Sequence, residues 1–411
     1  MRQLLQKVAA SFALLAASWL TPPPANAEPT KLTWFMWSGS EAEVSAWRHV
    51  AAMVTEKYPD ITVEFQTTSF PDYWTKLPAL AASGKLPDIL SLQTQRSPGF
   101  ARLLEPLDQR IKADKLDVAA FDPSIMKGLS RDGVQIALPY DFGPIILYYN
   151  TDMFIKAGLP LPAPGWTEAD FDNAAAALTK DGQYGLVVSV PDAFIPFALS
   201  RGAHYLDARG NLDLTNDGIK QAFAAYVSLV NQKKWAPLFP ASGTQSSSVA
   251  NGRFTSGSIG MYADGPWQLL NVKRKANFKL GIAPLPARAA GSVTVTPGSG
   301  FGISATSKHR DEAWKAIQVM TGPEAEQYLA ENGRAFPARI AMQHFWLETA
   351  AANIDGAAAS LQAALKTAQP YITTPNWATV ASLMEQYAPL AFAGGEEPAK
   401  VLTTIQQLAT Q

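Results

Sequence analysis

The sequence runs to 411 residues with 34 basic and 35 acidic side chains, a net charge of −1. At ~150 residues per domain this length implies two or three domains with large cores, and the balanced charge excludes a general attraction to nucleic acid or an anionic membrane. Hydrophobic residues make up 47% and charged ones 17%, which describes a folding chain, and the lack of cysteine excludes disulfides, thiolate nucleophiles, cysteine-bound zinc and iron–sulfur clusters together.

Arg2 and Lys7 flank the start of the chain, residues 8–20 are apolar, and Ala25-Asn26-Ala27 follows. Basic, apolar and small-x-small segments in that order read as a secretory signal peptide over 1–27, cut after Ala27. Thirteen residues fall short of the ~20 that a permanent membrane anchor needs. With no cysteine to carry a lipid, the expected location is the periplasm, as a free protein and not a lipoprotein.

A strand is expected over 31–37, then a helix opened by the capping-box pair Ser40 and Glu43, with Val44, Trp47, Val50, Ala51 and Val54 at helical spacing. Ile61, Val63 and Phe65 alternate with polar residues as in a half-buried strand, a second helix covers 73–83, and a short apolar strand covers 88–92. Two strand–helix–strand units in succession imply a parallel sheet whose ligands lie beyond the carboxyl ends of its strands, which puts 37–41 and 93–96 on a candidate rim. Residues 139–150 read as a Pro-containing loop and a strand that could join two domains. Thr167 caps a helix through Leu178, and Asn216 caps a longer one with a stripe of Ile219, Ala222, Phe223, Tyr226, Val227 and Val230. The Ser-rich stretch 242–249 reads as a loop, 258–262 as a strand ending in Ala263-Asp264-Gly265-Pro266-Trp267, and 292–296 as a strand inside a Pro/Gly-rich second linker. From Arg310 the tail is mostly helical, and Pro389 should kink or end the helix that begins near Asn376.

His49, His204, His309 and His344 are scattered without ligand spacing, so no metal site and no cofactor is expected. No G-x-S-x-G elbow, phosphate loop or G-x-G-x-x-G fingerprint occurs; residues 298–302 are G-x-G-x-G and lie late in the chain. Tyr148 and Tyr149 are neighbours on a strand and point to opposite faces, so they cannot act as a phenolate pair. Asp141 and Asp264 leave a secreted glycosidase open as a rival function, since that chemistry needs two carboxylates flanking the bond.

Eight segments, taken in order, resemble one family: LTWFMW (32–37), GKLPDI (84–89), LPYDFGPIILYYNTDMFIKAGL (138–159), GWTEADF (165–171), GSIGMYADGPW (257–267), APLP (283–286), GSGFGIS (298–304) and NGRAFPAR (332–339). The chain resembles the family 1 extracellular solute-binding proteins of carbohydrate ABC importers, the group that includes maltose-binding protein. The resemblance implies an α/β, two-lobed periplasmic binding protein fold, each lobe a mostly parallel sheet flanked by helices, joined by a three-crossing hinge near 140–143, 296–300 and 332–337. The lobes would be 28–141 with 299–338, and 142–298 with the helical part 339–411. It further implies a monomer without catalysis that captures a small carbohydrate and delivers it to permease subunits in the inner membrane.

A sugar ring presents an apolar C–H face and a hydroxyl edge, so its site needs flat aromatics beside carboxylates, amides and guanidinium groups. Trp37, Trp267, Phe336, Gln93, Gln95, Arg96, Asp141 and Arg334 supply that mixture. The resemblance adds Asp192 and Phe194 in a loop of the second lobe, and the candidate set is completed by Ser38, Glu41, Tyr140, Asp264, Gly298 and Ser299. Trp34, Trp47, Trp166 and Trp314 are expected in cores. Gly143 stands where maltose-binding protein has an acidic residue. A rival within the binding class is an anionic ligand, a glycerol phosphodiester or a sulfonated or phosphorylated sugar, held by Arg96, Arg334 or Arg339.

Overall fold

A computed structural model describes residues 28–242 and 244–411; the signal peptide read over 1–27 lies outside the described residues. Strand β1 (Thr30–Trp37), helix α1 (Glu41–Lys57), strand β2 (Ile61–Thr68), helix α2 (Phe70–Ala82) and strand β3 (Ile89–Gln93) follow the expected order. β1 lies between the other two and runs parallel to both, Trp34 facing Phe65 on one side and Ile89 on the other. Helix α1 buries Val44, Trp47, Val50 and Val54, with the Trp47 ring edge-on to Trp34 at 5.8 Å. Ser40 caps α1 by accepting the Glu43 N–H, but the Glu43 carboxylate turns to the Gly39 N–H, so half of the expected capping box forms.

Residues 139–150 make two strands, where a loop and one strand were expected. They are β4 (Leu138–Phe142) and β5 (Ile146–Asn150), and they belong to different sheets. Pro139 is tolerated because β4 is an edge strand, where a missing N–H breaks no ladder. The chain continues through α3 (Glu168–Leu178), β6 (Tyr184–Val187), α4 (Phe194–Ser200), α5 (Asp217–Asn231), α6 (Ser246–Thr255), β7 (Ile259–Asp264), α7 (Leu269–Lys275), β8 (Leu280–Ala283), β9 (Thr294–Thr296) and β10 (Gly298–Ile303). Helix α6 replaces the second half of the expected Ser-rich loop. Burial of Ala250 and Phe254 outweighs the weak propensity of its serines, and the Glu385 carboxylate accepts from the Ser246 N–H at 3.1 Å at its positive end. Short helical turns aside, the tail is built from α8 (Arg310–Met320), α9 (Pro323–Glu331), α10 (Ala357–Thr367), β11 (Ala368–Pro370), α11 (Trp377–Phe392) and α12 (Pro398–Ala409). Pro389 sits in the last turn of α11, near the expected end of that helix.

Two large sheets result, a five-stranded one in the order β2-β1-β3-β10-β4 and a four-stranded one in the order β8-β5-β7-β6, beside two small two-stranded ones, of which one pairs β9 with β11. Each sheet is mostly parallel, as expected, with one strand reversed. Strand β10 is the reversed one in the first sheet, antiparallel to both β3 and β4, and in the second sheet it is β5, antiparallel to both β8 and β7, while β6 runs parallel to β7. The physical reason is connectivity: β10 follows β9 after the single residue Pro297 instead of returning through a helix, so it enters the first sheet against the run of its neighbours.

One core gathers around the first sheet, where Tyr140 stacks on Phe301 at 4.7 Å and Trp47 meets Tyr140 at 5.1 Å. It continues onto one face of the second sheet through Tyr148, while Tyr149 faces a second core built from α3, α4, α5, α11 and α12. Trp34, Trp47, Trp166 and Trp314 are buried as expected.

The chain passes between sheets at 143–145 and at Pro297, and these passages lie side by side: the Gly143 N–H donates to the Pro297 carbonyl and the Ile145 N–H to the Val295 carbonyl, each at 3.1 Å. The expected third crossing at 332–337 stays against the first sheet, where the Phe142 N–H donates to the Phe336 carbonyl. The next passage falls further on, before α10, whose Ser360 hydroxyl donates to the Ile282 carbonyl of β8.

Candidate functional site

The strand ends of the first sheet face the second lobe across a cleft with a cavity of about 390 Å³. Trp37 closes β1, Gln93 closes β3 and Gly298 opens β10, so three candidates arrive by ending or starting strands at one rim, and Ser299, Asp141 and Tyr140 join them from one or two residues inside β10 and β4. Opposite stand Asp192, Asp264 and Trp267, with Gln245, Ser247 and Ser248 around the start of α6.

Arg334 is the centre of the first wall. It is 4% exposed, lies 4.8 Å above the Trp47 ring, and has Glu43 and Asp141 carboxylate oxygens each 3.8 Å away. Those distances are ion pairs and not hydrogen bonds. The Arg334 Nε, the Asp141 Oδ1 and the Tyr140 hydroxyl are all buried and none has a hydrogen-bond partner in the protein. Leaving such groups unpaired costs ~1–3 kcal/mol apiece, so their grouping on a cavity wall leaves three polar atoms open to partners from outside the protein. Burial pushes the Asp141 carboxyl up to about 6, against the pull of Arg334.

The opposite wall is organised around Asp264. Its oxygens accept from the Gly265 N–H at 2.7 Å, the Gln268 amide at 3.3 Å and the Tyr262 hydroxyl, while the Tyr148 hydroxyl donates to the Gly265 carbonyl at 2.9 Å. Burial raises the Asp264 carboxyl to about 6. This bracing fixes the turn that carries Trp267, whose partly exposed indole folds so closely over Gly265 that a Cβ there would meet ring atoms at 2.1 Å. The lobes touch directly where the Asn271 amide of α7 donates to Glu43 of α1 at 3.1 Å.

Six expected residues lie outside this cavity, each for a local reason. Ser38 pairs its hydroxyl with that of Thr67. Glu41 is exposed on the first turn of α1, and the helical turn carries Glu43 to the cleft instead. Gln95 is buried, its side chain accepting from Thr94 and its carbonyl from Thr373. Phe194 begins helix α4 and is not in a loop; it is a core residue against Phe223 at 5.2 Å. Phe336 is wedged between Phe142 and Trp346, each at 5.6 Å. Arg96 stacks over Phe70 and Trp74 beyond the cavity, its guanidinium donating to Gln93. Arg339, one of the proposed anion holders, donates to the Thr321 carbonyl and covers the Phe121 ring at 4.2 Å.

The residues that sequence reasoning missed carry readable signals in hindsight. Glu43 was absorbed by the capping box, and Asn271 follows Trp267 by four residues, one helical turn on. Gln245, Ser247 and Ser248 come to the cleft only because α6 forms. Among the described residues no cluster of histidines and carboxylates is able to hold a metal ion.

Two α/β lobes with paired chain passages and a polar, aromatic-walled cleft between them define a bilobal ligand receptor. Residues 49–353 match the family of bacterial extracellular solute-binding proteins, and the chain belongs to that family. Among curated relatives, a lactose-binding protein of Rhizobium radiobacter is 26% identical over 347 residues, 80% of this chain and 79% of that one. A mannitol-binding protein of Pseudomonas aeruginosa is 26% identical over 65% of this chain and 63% of its own. Among solved structures, an ABC substrate-binding protein from Listeria monocytogenes in complex with cycloalternan superposes with a TM-score of 0.85 at 23% identity, covering 93% of this chain and 98% of that one. That likeness concerns the fold.

Proposed function

We propose that the protein captures a small neutral carbohydrate in the interlobe cleft and hands it to the permease of an ABC importer from the periplasm. The observation that carries this reading is the grouping of the unpaired Arg334 Nε, Asp141 Oδ1 and Tyr140 hydroxyl on a wall that faces the indole of Trp267 across the cavity. A polyol ring supplies hydroxyls that both donate and accept along its edge and a C–H face for the indole. The lactose- and mannitol-binding relatives agree with such a ligand. An anionic ligand is less well served, because Arg334 already has two carboxylates beside it and Arg339 is engaged elsewhere. Hydrolysis is less well served too, because the Asp264 oxygens are committed to Tyr262, Gly265 and Gln268.

In this reading the lobes are 28–141 with the chain from 299 to the passage before α10, and 142–298 with the chain from α10 onward, the mature protein acts as a monomer, and the passages at 143–145 and Pro297 absorb the closing motion. A thermal-shift screen of mature protein against neutral sugars, sugar phosphates and glycerol phosphodiesters tests it. A neutral sugar at 100 times its dissociation constant should add ~2.7 kcal/mol of stability. Stabilisation by the anions alone would overturn the neutral reading, and turnover of aryl glycosides would overturn the binding one.

A further inference from the structure

Glu385 of α11 lies outside the cleft, half-buried along a groove of about 740 Å³ that opens beyond Asp192 and Gln245. It does not line the inner cavity, yet it holds two pieces of that cavity's second wall. Its two carboxylate oxygens accept from the Ser246 N–H at 3.1 Å each, and one of them accepts from the Ser246 hydroxyl at 3.0 Å. Ser246 is buried and passes the hold on: its Oγ accepts from the Val190 N–H at 3.0 Å and lies 3.2 Å from the Val190 carbonyl. The sequence neighbours Gln245, Ser247 and Ser248 line the cavity, and so do Ser189 and Asp192 on either side of Val190. Behind them the Tyr226 hydroxyl of α5 brackets Ser189, accepting from its N–H at 3.2 Å and donating to its carbonyl at 3.0 Å. One half-buried carboxylate therefore ties the start of α6 to the chain that follows β6.

We propose that Glu385 is a positioning residue for sugar capture, and that the charge on its carboxyl sets how firmly the 189–192 and 245–248 segments are held toward the ligand. This deepens the carbohydrate reading of the cleft and rests on it. The Ser246 hydroxyl has one proton and two acceptors within reach, Glu385 and the Val190 carbonyl. An ionised Glu385 draws that proton and the Ser246 N–H into charge-assisted hydrogen bonds at the positive end of α6. A protonated carboxyl keeps one ordinary acceptor there, and the brace slackens. Burial, together with the like charge of Asp192, pushes the Glu385 carboxyl up to about 7 against the pull of the Ser246 hydrogen bonds. Arg96 lines the same groove from the first lobe, and Tyr226 meets the brace through Ser189. The folded chain thus holds a proton that the unfolded chain releases at about 4.3, so the stability due to this group is greatest below that value, falls as pH rises toward 7 and is flat above it. A charge kept at that cost behind a binding wall, where a neutral residue would hold the fold better, points to a use in binding.

Titration calorimetry of mature wild type and Glu385→Gln at pH 5.5 and pH 8 tests the assignment, using whichever of lactose, maltose, mannose and arabinose stabilises wild type most. Glutamine keeps the shape and one acceptor oxygen and mimics the neutral acid. The two proteins should bind alike at pH 5.5, and wild type should bind about fivefold more tightly at pH 8. Asp141 and Asp264 are present in both, so their titration cancels in the ratio. Melting curves at pH 8 should show Glu385→Gln at least as stable as wild type, which separates a lost brace from a lost fold. Ser246→Ala, which removes the shared hydroxyl, should weaken binding at pH 8 and shrink the effect of Glu385→Gln made in the same chain. Equal affinity of wild type and Glu385→Gln at pH 8, or a loss of the same size at both pH values, would overturn the assignment and leave the sugar site standing. Failure of all four sugars to bind wild type would overturn the carbohydrate reading itself, and this assignment with it.

Discussion

Asp141 sets the chemistry of the cleft because it is buried, close to one cation and short of a hydrogen bond. Its carboxyl is raised to about 6, so the folded protein holds a proton that the unfolded chain releases near 3.9. Folding stability attributable to this group is therefore greatest below the unfolded value, falls as pH rises toward 6 and is flat above it. Ligand hydroxyls that donate to the ionised carboxylate favour the charged form, so affinity should weaken as pH falls through about 6. Asp141→Asn should lower affinity roughly tenfold and reduce that pH dependence to what Asp264, also raised to about 6, and Glu385, raised to about 7, contribute, which calorimetric titrations between pH 5 and 8 would read. A wild-type affinity constant across this range would remove Asp141 from contact with the ligand. Trp267 acts through area: covering ~100 Å² of indole at ~25 cal/mol per Å² contributes ~2.5 kcal/mol, so Trp267→Ala should bind roughly 60-fold more weakly. Because the indole is partly exposed, its removal should leave the melting temperature nearly unchanged, whereas a core tryptophan would cost ~3–5 kcal/mol.

Strands and helices that repeat a simple period were legible, and those held by tertiary contacts were not. The α1 and α5 stripes, the alternation in β2 and the cap at Thr167 could be read directly because each is a local signal. Strand β10 hid behind its glycines. Their absent side chains let β4 approach, since a Cβ at Gly298, Gly300 or Gly302 would lie 2.5–2.6 Å from the carbonyl oxygens of Asp141, Leu138 and Ile136. Helix α6 hid because its serines favour loops and its support comes from Glu385, 139 residues away. The same limit applies to the site: Trp37, Asp141 and Trp267 could be read from aromatic and carboxylate placement, while Glu43 and Arg334 become partners only after α1 meets the 332–337 segment. Gly143 links element to site. A Cβ there would stand 2.6 Å from the Pro266 ring, so the first passage is seated against the turn that holds Trp267. Gly143→Ala should displace that turn, lowering sugar affinity by about tenfold and the melting temperature by several degrees. Unchanged affinity in Gly143→Ala would uncouple the passage from the indole.

At the scale of the molecule, the site is divided between bodies that are joined by narrow passages, with Arg334, Asp141 and Tyr140 on one and Asp264 and Trp267 on the other. A closed arrangement is favoured only if the ligand gains contacts from both lobes there, and the Glu43–Asn271 contact shows where the lobes meet across the rim. The hydrogen bonds Gly143–Pro297 and Ile145–Val295 hold the two passages side by side, and in the proposed reading the lobes turn about them. Small-angle X-ray scattering of the mature protein, recorded without sugar and at saturation with the carbohydrate that stabilises it most, tests this claim most directly. The account predicts a smaller radius of gyration in the complex; an identical radius at a saturation confirmed by calorimetry would contradict it.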